Sequence, residues 1–271
     1  MIHIVECGRF ARKALASGPG EVCAVFRRSF YLRYSEGRFA CLGDGTLGRG
    51  PLNARLPDHR AFGAWAVGDR VAVSLEGARL WRPHRIESRV DRARLAANVD
   101  ALVRAATQRP AREGLGGAIT GAASPLLEHV RPALGALDAW LSDERAAVPR
   151  RARDLIGLGP GLTPSGDDYL GGLMVGLRAA GRARAAAALW KWLDAHVSGR
   201  TSAISRAHLA AAAHGEVHEA LHACVAALFE ANAMPRNTRW SSLLALLDAV
   251  GHCSGRDGLA GVAAVAQSSL R

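Results

Sequence analysis

The sequence predicts an α+β protein: an N-terminal antiparallel β domain, barrel- or sandwich-like, over residues 1–88, followed by a mostly α-helical domain over residues 89–271. Two observations predict it. Before residue 90, runs of β-branched and aromatic residues alternate with tight turns; after it, apolar residues recur at helical spacing and almost nothing reads as a strand. Strands and helices are thus segregated along the chain rather than alternating, which excludes a doubly wound α/β fold. Hydrophobic residues make up 49% of the 271, enough for each part to bury its own core.

In the first part, Val22 to Tyr34 is strand-like, Ser35-Glu36-Gly37 is a turn, and Arg38 to Leu42 reads as a returning strand. Val71 to Leu75 and Ala78 to Trp81 flank Glu76-Gly77 in the same way, and the stretch from Gly43 to Pro57 is rich in loop residues. In the second part, Leu95, Val99, Leu102 and Val103 share one face of a helix over Asp91–Thr107. Leu126–Leu141 follows the same pattern, and further helices are expected over 182–196, 202–213, 217–231 and 240–250.

Composition excludes several classes of function. No stretch approaches the roughly 20 uninterrupted apolar residues of a membrane helix; the best run, Leu170 to Leu177, is broken by Gly171, Gly172 and Gly176. The start, Met1-Ile2-His3-Ile4-Val5-Glu6, lacks the basic-then-apolar layout of a signal peptide, so the expected location is the cytoplasm and no membrane partner is expected. Five cysteines with no Cys-x-x-Cys pair form neither a disulfide framework nor a zinc cluster. The net charge of +11 is carried by 33 arginines and only two lysines, Lys13 and Lys191, and it is dispersed without interleaved aromatics. Nucleic acid is therefore not expected as a partner; a small anionic substrate, bearing phosphate or carboxylate, accounts for the charge equally well.

The most informative segment is Gly157-Leu158-Gly159-Pro160-Gly161-Leu162-Thr163-Pro164-Ser165-Gly166-Asp167-Asp168. Thr163 suits a helix N-cap with Pro164 in the first helical position, and the helix is expected to run to about Ala180. Free N–H groups at a glycine-lined helix start form an anion site. It is not a Walker A loop, because no Gly-Lys-Ser/Thr follows, and the glycine spacing is not that of a dinucleotide fingerprint. Asp167 and Asp168 would repel a bound phosphate unless a cation such as Mg2+ bridged them, or unless one accepted a hydrogen bond from a substrate amide while the loop held the anionic end. Alternatively, both simply favour the helix dipole.

A second copy strengthens the functional reading. Ser165-Gly166-Asp167-Asp168-Tyr169-Leu170-Gly171-Gly172 aligns without gaps with Ser254-Gly255-Arg256-Asp257-Gly258-Leu259-Ala260-Gly261. Both copies follow a helix that ends at glycine, Gly157 or Gly251, so the two loops are expected to converge on one cleft. The candidate catalytic residues are Asp167, Asp168 and Asp257. Gly159, Gly161, Thr163, Ser165, Gly166, Thr201, Ser205, His252, Ser254 and Gly255 are the candidate binding residues, with Asp167 and Asp168 the ligands of any metal. His214, His218 and His222 fall four residues apart, the spacing of one helical face, and read as a solvated face rather than a metal site. Cys253, beside His252, reads as a small buried side chain rather than a nucleophile.

These residues resemble a known family. The segment 157–168 is similar to the signature of a family typified by the accessory, AllH-type subunit of oxamate carbamoyltransferase. Thr201-x-x-x-Ser205-x-x-x-Leu209 and Gly251-His252-Cys253-Ser254-Gly255-x-Asp257 resemble two further blocks of it. The likeness covers the second half; in the first half it is a β-rich layout with Trp81-x-Pro83 where the domains would join. The resemblance implies a subunit of a complex that converts oxalurate and phosphate to oxamate and carbamoyl phosphate in allantoin breakdown, alongside two larger partner subunits. Such a subunit is either active only with those partners or a non-catalytic, structural component of the complex. Cys253 stands where the family usually has serine, and Arg256 is a second departure.

Overall fold

A computed structural model describes residues 2–57, 65–86, 91–143, 145–230 and 236–271, with side chains from 240 onward in the last of these segments. The boundary expected at 88/89 lies outside the described residues. The chain divides into two compact units: Met1–His84 with the short segment Glu216–Glu219, and Arg85–Gly215 with Ala220–Arg271.

The first unit holds β1 (Ile2–His3), β2 (Glu6–Gly8), α1 (Arg9–Leu15), β3 (Gly20–Val25), β4 (Ser29–Arg33), β5 (Phe39–Gly43), β6 (Asn53–Arg55), β7 (Arg70–Val71), β8 (Val73–Ser74) and β9 (Arg79–Trp81). Seven strands form one open sheet in the order β7-β3-β4-β5-β6-β2-β9, and β1 and β8 form a separate pair. The expected hairpin around Ser35–Gly37 is present: β4 and β5 are antiparallel, in register from Ser29 opposite Gly43 to Arg33 opposite Phe39. Along β4 burial alternates, with Phe30 and Leu32 inside, the period of a strand with one face on a core. Phe30 and Leu32 join Ala11, Ala14 and Leu15 of α1 in that core.

Three features depart from the sequence expectation. The sheet is mixed, with β5–β6 and β2–β9 parallel, and it does not close. The segments on either side of Glu76-Gly77 do not pair with each other: β8 lies beside β1 and β9 beside β2. Turn chemistry permits a hairpin there, but hydrogen bonding to the N-terminal strands takes both segments. Finally, α1 packs within a region that composition reads as all β.

The second unit contains α2 (Arg92–Gln108), α3 (Pro125–Ser142), α4 (Ser165–Ala179), α5 (Ala183–Asp194), α6 (Ala203–Ala213), α7 (Glu219–Phe229, whose first residue falls in the other unit), α8 (Arg236–Asp248) and α9 (Ser254–Ser268). Side-chain caps start α2, α3 and α6. Asp91 accepts from Arg94 N–H, Ser124 from Leu127 N–H and Ser202 from Ser205 N–H. No helix among the described residues is long and apolar enough to cross a membrane. His214, His218 and His222 do not share a helix, because α6 ends at Ala213, Gly215 turns with φ +81°, and α7 begins only at Glu219.

The core of this unit is α4, buried along most of its length and packed on α5, α6 and α9. It runs parallel to α9, with residues 168–176 of one beside 258–265 of the other, so both N-termini lie at the same end. Their backbones touch: a Cβ on Gly172 would sit 1.9 Å from Gly258 O, and one on Gly261 would sit 2.1 Å from Tyr169 O. Gly135, within α3, is different, with nothing within 4 Å of an added Cβ. Gly135→Ala is therefore expected to stabilise the protein by about 1 kcal/mol through helix propensity alone. Urea unfolding followed by far-UV circular dichroism checks it, and a loss of stability would contradict it.

Candidate functional site

The two loops predicted to converge do so. Each precedes one of the paired helices, and their side chains meet across the gap: Thr163 Oγ1 lies 3.1 Å from Ser254 Oγ, and Ser165 Oγ lies 3.4 Å from Cys253 Sγ. The two copies are also built alike. Gly166 and Gly255 hold the same offset, and a Cβ at either would strike a backbone carbonyl of the preceding segment, Leu155 O at 1.9 Å or Leu247 O at 2.5 Å. Glycine at this offset lets each helix start against the chain that leads into it.

α4 begins one residue later than expected, with Pro164 in the cap position and no side-chain cap. Pro164 O accepts from Asp167 N–H and Asp168 N–H. Thr163, free of a capping role, faces Ser254 instead. Among the described residues, the N–H groups of Gly159, Gly161, Leu162, Thr163 and Ser165 find no acceptor within the chain. Gly159 and Gly161 are exposed with φ +107° and +96°, a backbone that glycine adopts readily.

The three aspartates occupy different environments. Asp167 is 2% exposed and both its oxygens are engaged. Oδ1 accepts from Gly157 N–H at 2.9 Å, and Oδ2 accepts from Ser205 Oγ at 2.6 Å and from Thr201 Oγ1. Thr201 and Ser205, candidates for ligand contact, thus donate to Asp167, and this carboxylate ties the glycine loop to the start of α6. Ser202 adds a tie by donating to Leu162 O at 2.6 Å.

Asp257 is 0% exposed, and its Oδ1 accepts from Leu115 N–H at 2.6 Å and Gly116 N–H at 3.0 Å. Its Oδ2 is buried with no hydrogen-bond partner, although the Ser165 hydroxyl and Cys253 thiol border the carboxyl. Burial pushes this carboxyl above the usual carboxylate range, and the Ser165 hydroxyl, the Cys253 thiol and then the two backbone N–H groups oppose the shift. Asp168 is more extreme. Its Oδ2 is likewise buried without a partner, and among the described residues the groups that hydrogen-bond the carboxyl are the side chains of Ser254 and Thr163, with no backbone N–H. Burial, with the negative charges of Asp257 and Asp167, holds it well above the usual range, against the polar influence of Ser254 and Thr163.

The remaining candidates are peripheral. His252 is exposed, with Nε2 3.0 Å from Glu113 Oε2. Burial first, then the nearby aspartates, pushes the Cys253 thiol up to about 11, so it is protonated at neutral pH and not poised as a nucleophile. Arg256 is buried at 4% exposure and grips Asp248 through two nitrogens, at 2.7 and 3.1 Å, while Nη1 donates to Arg109 O. It anchors the start of α9. Among the described residues, no group of three or more His, Cys, Asp or Glu is arranged to hold a metal.

Sequence reasoning did not single out Gly114-Leu115-Gly116-Gly117, whose backbone supplies both N–H groups to Asp257. A Cβ on Gly114 would sit 2.4 Å from Asp257 Oδ1. The signal was available: a cluster of three glycines between two helices.

The paired loops, their shared offset and the three aspartates fall in the region matched by a family model described as oxamate carbamoyltransferase subunit AllH, over residues 155–266. Over that span, less than half of the chain, the sequence is similar to this family. No curated relative and no solved structure matches the chain significantly. The matched span begins at Leu155, whose carbonyl lies against Gly166, and ends within α9, so it includes both loops and most of both glycine-packed helices. The Gly114–Gly117 loop lies before it.

Proposed function

We propose that this chain is a subunit of a carbamoyltransferase-type assembly, working with other subunits, and that its paired glycine loops bind the small anionic substrate. The observation that carries this reading is the pair of buried, unpartnered oxygens, Asp168 Oδ2 and Asp257 Oδ2, at the end where two helix N-termini meet. A buried acceptor without a partner costs about 1–3 kcal/mol, a cost that an N–H of a ligand or an ordered water removes. Two parallel helices each present roughly half a positive charge at that end. The unbonded N–H groups of Gly159, Gly161 and Ser165 belong to the same loop. A carbamoyl- or ureido-bearing anion, such as oxalurate, oxamate or carbamoyl phosphate, offers a negative oxygen to the amides and N–H groups to the carboxyl oxygens. Preorganised amides of this kind also stabilise negative charge that builds during acyl transfer.

A purely structural subunit whose α4 glycines pack against a neighbouring protein gains no support from the geometry, because Gly172 and Gly176 face α9 of the same chain.

The test is a thermal-shift screen of the purified chain with phosphate, carbamoyl phosphate, oxamate and oxalurate. A ligand held only by the native state raises the melting temperature. The expected result is a shift with at least one carbamoyl- or ureido-bearing anion, abolished by Asp168→Ala. A shift that Asp168→Ala leaves intact would remove these loops as the site.

A further inference from the structure

Asp168 and Asp257 hold the same offset at the starts of two touching helices, yet their surroundings differ in kind. Two backbone N–H groups point at Asp257 Oδ1. N–H groups fixed on one oxygen favour the ionised form of that carboxyl. Asp168 has none. Its neighbours are the hydroxyls of Thr163 and Ser254, Asp167 on its own helix and Asp257 on α9. Among the described residues, no Arg, Lys or His from α5, α6, α9 or the 3-10 turn at Arg150–Leu155 pairs with it. Asp168 and Asp257 sit on touching helices close enough for each charge to disfavour the other, and among the described residues no cation pairs with Asp168, so the two do not both ionise readily. The one without N–H donors is the one that stays neutral.

We infer that Asp168 holds a proton in the resting protein and donates it in a hydrogen bond to an anionic oxygen of the ligand, while ionised Asp257 accepts from the ligand's N–H. This rests on the reading of the paired loops as the ligand site and sharpens it. The ligand must present an anionic oxygen and an adjacent N–H2, and it must meet an acid on one side and a carboxylate on the other. The division of two like groups into donor and acceptor by their environments is the pattern by which carboxyl pairs take distinct roles. Binding then depends on pH, because a ligand that needs neutral Asp168 loses affinity once that group ionises, by up to about tenfold per pH unit.

The experiment compares wild type, Asp168→Asn and Asp168→Ala from pH 5 to 9, with and without oxamate, whose own charge is constant over that range. Asparagine is neutral at every pH and can still donate. Asp168→Asn is expected to retain the oxamate shift and to flatten its pH dependence, while Asp168→Ala loses the shift. The ligand-free arm stands alone. A carboxyl whose folded pKa lies above its unfolded value contributes its full stability below the unfolded value, and that contribution fades as pH rises through the folded one. The melting temperature of Asp168→Asn is therefore expected to gain on that of wild type as pH rises.

A constant offset between the two proteins from pH 5 to 9 would overturn the assignment of the proton. So would a wild-type oxamate shift that holds at pH 9 and vanishes in Asp168→Asn. If wild type binds no probe at any pH, the ligand reading of the loops falls, and the ligand-free comparison still decides the state of Asp168.

Discussion

Gly172→Ala is expected to destabilise the protein by at least about 3 kcal/mol, while Gly171→Ala, one residue earlier on the same helix, is neutral or stabilising by up to ~1 kcal/mol. Both glycines are buried in α4, and helix propensity favours alanine equally at each. They differ in what an added methyl group meets. At position 171 the nearest atoms are Ala212 Cβ at 3.6 Å and Leu209 Cδ2 at 3.9 Å, ordinary contact distances. At position 172 the methyl group lands 1.9 Å from Gly258 O, with Gly258 C at 2.8 Å and Cα at 3.0 Å. Those are backbone atoms of a packed helix, with no flexible side chain to swing aside. To accept the methyl group, α4 and α9 must separate by more than an ångström, and the close packing between them is lost along the pair. Urea denaturation followed by far-UV circular dichroism measures both variants. Equal effects at the two positions would mean that the helices are not in backbone contact.

Asp167→Ala is expected to cost about 3–5 kcal/mol, and Asp168→Asn is expected to raise stability at neutral pH, although the two residues are adjacent. Removing the Asp167 carboxylate strands three donors: Gly157 N–H, Thr201 Oγ1 and Ser205 Oγ. Hydrogen bonds to a charged group contribute about 1.5–3 kcal/mol each, and a buried donor left without an acceptor carries its full desolvation cost. Their losses overlap, because one carboxylate serves all three, so the total falls short of the sum. Asp168 has the opposite balance, since burial penalises its charge and no N–H rewards it. Thermal melts at pH 7.5 separate the two. A loss of stability in both variants would make Asp168 a structural residue like its neighbour and remove the main support for a ligand at this site. A gain in Asp168→Asn fits the pattern in which a functional group is kept at the expense of stability.

The alternating burial of β4 and the turn at Ser35–Gly37 were legible because both are local: period-2 hydrophobicity and a tight turn need no distant partner. The segments around Glu76-Gly77 looked equally local. Their partners are β1 and β2, some seventy residues away, and a hairpin pattern cannot announce that competition. The helices other than α4 and α9 were readable from apolar patterning, α4 and α9 from their repeated glycine-led start, and the caps at Asp91, Ser124 and Ser202 agree with the residue types that favour that position. Thr163 was placed as a cap on the same grounds, but the tertiary contact with Ser254 takes its hydroxyl.

By itself, the sequence determined that strands precede helices, that two glycine-led helix starts repeat one pattern, and that their aspartates belong together, because each of these is written in consecutive residues. Only the tertiary structure decided what each aspartate does. Asp167 is answered by Thr201 and Ser205 from the start of α6, and Asp257 by the backbone at Leu115 and Gly116, 142 and 141 residues away in the chain. Asp168 is answered by nothing basic within the described residues. A carboxyl group's charge and role follow from the donors and the dielectric around it, and packing brings those from distant parts of the chain.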